Sequence, residues 1–173
     1  MARSIDPMSL IAPVLYKYRF AAHAGALLPD AAADRDTAEA MEMATVDTEI
    51  AKEKARTGDV DGAIQLARAV VDYSFDAGDA LSLGEATRVL VESLLARGTS
   101  ADLKEAQAAI DRLAAEPTDP GFVLFEVPLL RLRALLARAH GDAEAYKQLR
   151  DRYRDMAKTL GFEGHVAWAE AMP

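Results

Sequence analysis

Apolar residues recur along the chain in steps of three, four and seven, the spacing that places them on one face of an α-helix. After Gly58 the series is Val60, Ala63, Ile64, Ala67, Val70 and Val71. After Gly98 it is Leu103, Ala106, Ile110 and Leu113, and after Gly141 it is Leu149, Tyr153, Met156, Ala157 and Leu160. Two stretches between these differ. Leu81–Leu95 and Phe122–Leu136 are apolar around much of the helical circumference, which predicts helices buried on two sides. Upstream, Met41, Ala44, Thr48 and Ala51 keep helical steps, so Ala31–Arg56 reads as one or two helices. Glu163–Met172 predicts a terminal helix that covers the last hairpin.

Glycine punctuates this pattern. Gly58, Gly78, Gly98, Gly121, Gly141 and Gly161 are separated by 20, 20, 23, 20 and 20 residues. Glycine is favoured just past a helix C-terminus, where the chain turns left-handed. Asp59, Asp79, Thr99 or Ser100, and Asp142 follow four of these glycines and are N-cap types. Pro117, Thr118, Asp119 and Pro120 surround the fourth break. Pro128 lies inside an otherwise helical stretch, so a helix either starts just before it or kinks there. Alternate glycines align: Leu94-Leu-Ala-Arg97 recurs as Leu135-Leu-Ala-Arg138. A period of about 40 residues made of helix pairs is the signature of an α-solenoid. The predicted fold is all-α, with about three antiparallel helix pairs, N-terminal helices and a C-terminal capping helix.

Composition narrows the chemistry. The 173 residues include 36 alanines, which favours helices over strands. The absence of cysteine excludes a disulfide scaffold, a zinc-thiolate site and a thiol nucleophile. A net charge of −8 speaks against a general nucleic-acid binder. Residues 1–30 form a separate apolar segment, ended by Pro29-Asp30, before the repeat body of residues 31–173. Lys17, Arg19 and His23 interrupt it, whereas a membrane span needs about 20 nearly uncharged residues. A cytoplasmic protein without a membrane anchor is expected.

The turns resemble those of tetratricopeptide repeats. Gly58-Asp59 is followed by Ala63, and Gly141-Asp142 by Tyr146, while the middle unit carries Gly98-Thr99 and reaches Ala106 three residues late. Lys54 stands where the first helix of that family often has Tyr. A second resemblance runs from Gly58 to the C-terminal region. It is carried by GDVDGAIQLARAVVD, VLVESLLARG, EAQAAIDRLAAEPTDPGFVL, LLRLRALLARAHGDAEAY and DRYRDMAKTLGFEGHVAWAEAM. These are similar to the C-terminal helical region of mycobacterial adenylyl cyclase-like or LuxR-type ATPase regulators. That resemblance implies a regulatory or interaction role. The catalytic parts of such regulators are missing here: no G-x-x-x-x-G-K-[ST] occurs.

No catalytic constellation emerges. His23, His140 and His165 form no H-x-x-x-H or Glu-x-x-His pair, so no metal or other cofactor is expected. His140 suits the C-terminal end of a helix dipole. Glu39/Glu42, Glu49/Glu53, Asp102/Glu105 and Asp151/Asp155 read as a solvated helix face. Arg131, Arg133, Arg138, Lys147, Arg150, Arg152 and Arg154 make the third hairpin basic, either as a patch for an acidic partner or as intrahelical pairs such as Asp151 with Arg154 and Arg152 with Asp155. Tyr73, Phe75, Tyr146, Tyr153 and Trp168 are expected in packing roles.

The expectation is a non-catalytic module that binds a protein, a peptide or a small effector. Ala80–Arg97 and Phe122–His140 would line its inner face, with Arg88, Glu92, Arg131 and Arg133 reaching the bound partner. Two alternatives stand beside it. One is a C-terminal fragment of a cyclase or P-loop ATPase regulator. The other is a structural domain that forms a homodimer through its N-terminal helix, Leu10–Leu28.

Overall fold

A computed structural model describes residues 31–116 and 123–172. The readings made for residues 1–30, for the Pro117–Gly121 break and for Phe122 lie outside the described residues. Among the described residues the protein is all-α, with seven helices and no strand. They are α1 (Ala31–Thr57), α2 (Val60–Asp76), α3 (Ala80–Arg97), α4 (Ser100–Ala114), α5 (Val123–Ala139), α6 (Ala143–Leu160) and α7 (Glu163–Ala171). Residues 31–57 thus make one helix, not two. α5 runs through Pro128, beginning five residues before it.

Local chemistry sets the turns. The side chains of Asp59, Asp79, Thr99 and Asp142 accept hydrogen bonds from the backbone N–H groups of Gly62, Ser82, Asp102 and Ala145. Each therefore satisfies one of the orphan donors at a helix start. Gly98 and Gly161 end α3 and α6 at φ 74° and 70°, a left-handed conformation that a side chain would strain.

Consecutive helices pack on one another throughout, and α3 also contacts both α1 and α5. Gly84 makes part of that approach feasible: a Cβ there would lie 3.1 Å from the Phe125 ring of α5. Between α2 and α4, Arg68 pairs with Glu105 at 2.7 Å and Arg112 with Asp72 at 2.6 Å.

Two apolar clusters form the core, and α5 belongs to both. Phe125, Leu129, Leu132 and Leu136 face a larger cluster shared with α1 to α4. Val127, Leu130 and Ala134 face a smaller one built with Tyr153, Ala169 and Met172. Steps of four, three and four on one side, and three and four on the other, explain why α5 is apolar around its circumference. Leu94, Ile110 and Leu132 are fully buried, and each contributes about 1.5–3 kcal/mol relative to an exposed position. Leu160 departs from its expected stripe: it is 36 % exposed as the last residue of α6, just before the Gly161 cap. No described helix is long and apolar enough to cross a membrane.

Candidate functional site

Glu85, Arg88 and Glu92 lie at i, i+3 and i+7 on α3, so one helix face carries an alternating acid–base row. The Arg88 guanidinium donates to Glu85 at 2.7 and 3.0 Å and to Glu92 at 3.0 Å. Neighbouring helices extend the row. From α1, Lys52 Nζ lies 2.6 Å from Glu85 and 2.7 Å from Glu49. From α5, Arg131 pairs with the second oxygen of Glu92. Three cations and three carboxylates thus alternate across α1, α3 and α5.

Electrostatics keep these groups charged. Burial pushes the Glu85 carboxyl up, but Arg88 and Lys52 outweigh it and bring it down to about 2. Burial likewise opposes the Arg88 charge, and Glu85 and Glu92 overcome it, so its pKa is raised. A partly desolvated pair surrounded by partners keeps its charges only because each has an opposite neighbour.

The row continues into the C-terminal helices. The Arg131 guanidinium lies 5.4 Å from the Trp168 ring centroid, within cation–π reach. His165 meets Trp168 edge-on at 5.1 Å, and its Nδ1 is 2.8 Å from the Tyr153 hydroxyl. Burial raises the Tyr153 pKa to about 12, and burial, then Arg131, lowers that of His165. Both favour the uncharged forms at neutral pH.

Between α1 and α3 the face opens into a cavity of about 340 Å³. Its walls are the small apolar side chains of Ala55, Val60, Val89 and Ala96; its polar edge is Lys52, Arg88, Glu92 and Ser93. Among the described residues, neither the buried Ser93 hydroxyl nor the buried Arg131 Nε has a hydrogen-bond partner. Such atoms normally find partners in native proteins, so this face holds hydrogen-bonding capacity that the described residues do not use.

Of the residues expected at the inner face, Arg88, Glu92 and Arg131 come together. Arg133 does not: two residues past Arg131, it is turned to another side of α5 and is exposed. The sequence reading missed Lys52, Glu85, Ser93 and Trp168. Glu85 could have been found from its three-residue spacing to Arg88. Lys52 could not, because only tertiary packing brings α1 beside α3.

Several other readings change. Asp102 is not on a solvated face; it is 1 % exposed, because Thr99 and Arg97 enclose its carboxylate at the start of α4. Asp155 pairs with Arg154 instead of Arg152, while Asp151 pairs with both Arg154 and Arg150. Arg150 and Arg154, two of the seven basic residues of the third hairpin, are therefore paired within α6. Trp168 is not packed away but 47 % exposed. Phe75 is also partly exposed and stacks under Arg112 at 3.8 Å. Among the described residues no group of three or more His, Asp or Glu side chains could hold a metal ion. Compared with family models, with curated proteins and with solved structures, the chain has no match.

Proposed function

We propose that this is a non-catalytic binding module, a tetratricopeptide-like solenoid whose α1–α3–α5 face receives an extended peptide segment. The observation that carries the reading is the cavity between α1 and α3, with its charged edge and the unpartnered, buried hydroxyl of Ser93. Alternation of helix contacts, with α3 touching α1 and α5 as well as its sequence neighbours, supports the solenoid.

The charge pattern selects the ligand class. The row is neutral as a whole, so it does not concentrate polyanions, and the chain around it carries −8. A peptide of mixed charge suits it: an acidic group can exchange onto Lys52 and Arg88, a basic one onto Glu92. Small side chains suit walls made of alanine and valine. Affinity would come from a few anchors and not from area.

A displayed library of random peptides tests this. Mixed-charge peptides enriched on the wild-type protein are expected to lose about tenfold in affinity for Arg88→Ala and for Glu92→Gln, a change of about 1.4 kcal/mol. They are expected to bind Arg133→Ala unchanged. No enrichment over an unrelated helical protein, or equal binding by Arg88→Ala, overturns the reading.

A second reading is favoured by the resemblance from Gly58 to Met172. There the module belongs to a cyclase-like or LuxR-type ATPase regulator, and the segment received is part of that regulator. Binding of peptides tiled from a cyclase or ATPase domain of that class, in place of random ones, distinguishes it.

A further inference from the structure

Few contacts hold α7 to the rest of the described protein. It has nine residues, of which Ala169 alone is buried. Phe162 caps it without a side-chain hydrogen bond. Ala169 and the following Met172 join the smaller apolar cluster. Two polar links tie α7 to α6 among the described residues. One is the exposed pair of Lys158 and Glu170 at 3.9 Å. The other is the 2.8 Å hydrogen bond between the Tyr153 hydroxyl and His165 Nδ1. On the α5 side, the Trp168 ring meets the Arg131 guanidinium.

We propose that α7 is an acid-released flap: protonation of His165 ends the hydrogen bond it accepts from Tyr153, undocks α7 from α5 and α6, and lifts Trp168 off Arg131. At neutral pH the Tyr153 O–H donates to a bare Nδ1. Tyr153 keeps its proton throughout, since burial raises its pKa to about 12. Once solvent supplies a proton to Nδ1, the imidazolium N–H and the phenol O–H face each other as two donors. The hydroxyl can turn to accept, but its own hydrogen then loses its acceptor. Tyr153 is fully buried among apolar side chains, where an unpaired donor is costly.

Charge acts in the same direction. Among the described residues, Arg131 from α5 and Arg88 from α3 act on the imidazole as cations. Glu85 from α3 is the opposing carboxylate, and Arg88 and Lys52 already share it. From α6 the facing group is Tyr153, while the Phe162 and Trp168 rings lie at 6.0 and 5.1 Å. A further cation beside Arg131 and Arg88 is disfavoured while α7 stays docked. Burial, then Arg131, lowers the folded pKa of His165 below its ordinary 6.5, so the released form binds a proton more readily. The contribution of His165 to docking is fully present above pH 6.5 and is lost as pH falls through the folded value. Once released, a helix of nine residues is too short to persist in water. Arg131 borders the proposed peptide face, so release would uncover that end of it; this consequence rests on that reading, whereas the release itself does not.

Amide hydrogen exchange of the full chain, corrected for the pH dependence of intrinsic exchange, reads the release. Protection over residues 163–171 is expected to fall about fivefold from about pH 7.5 to about pH 5, while that of residues 83–94 in α3 holds. His165→Gln keeps an acceptor for Tyr153 and cannot take the proton, so its profile is expected to be flat. His140→Gln is expected to keep the step, since His140 is exposed. Tyr153→Phe keeps the imidazole and removes its partner; α7 is then expected to be less protected already at neutral pH, with a smaller step. Trp168 is the only tryptophan in the chain and is 47 % exposed, so its quenching by acrylamide is expected to rise about twofold over the same step. A wild-type profile flat in pH, an equal step in His165→Gln, an undiminished step in Tyr153→Phe or unchanged quenching overturns the proposal. Parallel loss of protection in α3 overturns it as well, since the step is then global unfolding.

Discussion

Two charged clusters in this protein use the same residue types to different ends. At the turn from α3 to α4, Arg97 holds Asp102 at 2.5 Å and reaches Asp61 at 2.7 Å. Thr99 and Asp102 exchange backbone and side-chain hydrogen bonds in a capping box. Nearly every atom there is committed, and most partners lie within five residues of one another. The row across α1, α3 and α5 is the reverse case. Its partners are 33 to 39 residues apart where they cross between helices, from Lys52 to Glu85 and from Glu92 to Arg131. It borders a cavity, and among the described residues it leaves Ser93 Oγ and Arg131 Nε unpaired. A closed cluster stabilises a turn. An open one costs unmet hydrogen bonds, and the proposed peptide site is placed on it for that reason.

Substitutions can break that contrast. Asp102→Ala is expected to lower the melting temperature most, by about twice the effect of Glu92→Gln, because it strips both the cap of α4 and the buried partner of Arg97. It should leave peptide binding intact once the protein is folded. Thr99→Ala removes the reciprocal half of the cap and is expected to cost about 1 kcal/mol in urea unfolding. Glu92→Gln severs Arg88 and Arg131 together. Because both pairs are partly solvated, the expected cost is about 0.5–1 kcal/mol, with the larger effect on peptide affinity. If Asp102→Ala and Glu92→Gln changed binding alike, the distinction between the two clusters would fail.

Acid titration sharpens the same comparison. The folded-state pKa of Glu85 lies below its ordinary value of 4.5, at about 2. The unfolded chain therefore binds more protons over that interval. Stability from Glu85 is fully present above pH 4.5 and is lost as pH falls through 4.5 toward 2. Melting curves of Glu85→Gln across this window are expected to fall less steeply than those of the wild type. The smallest effect belongs to Arg133→Glu, within about 0.5 kcal/mol of the wild type and without change in binding, since the side chain is exposed and apart from the row.

How much of this was legible depends on distance along the chain. The caps at Asp59, Asp79, Thr99 and Asp142 follow from residues three positions apart, and a sequence shows such pairs directly. The two-sided burial of α5 follows from its own pattern, because both stripes lie on one helix. Asp102 was misread because spacing alone does not tell a carboxylate at a helix start from one on a solvated face; the capping Thr99 does. Arg133 was grouped with Arg131 by adjacency, yet a helix turns about 200° over two residues. Trp168 was assigned to packing by type, while its exposure beneath Arg131 depends on how α7 meets α5.

By itself the sequence determined that the described residues are helical, where most of their turns fall and which residues cap four of the helices, since helical periodicity and terminal hydrogen bonds are interactions over a few residues. Tertiary structure alone decided that Lys52 joins the row, that Ser93 lies at its cavity, and that Met43, Val46 and Ile50 are exposed on α1. Those outcomes depend on which faces of separate helices meet. The pattern on any one helix says how much surface must be buried, but not which neighbour buries it.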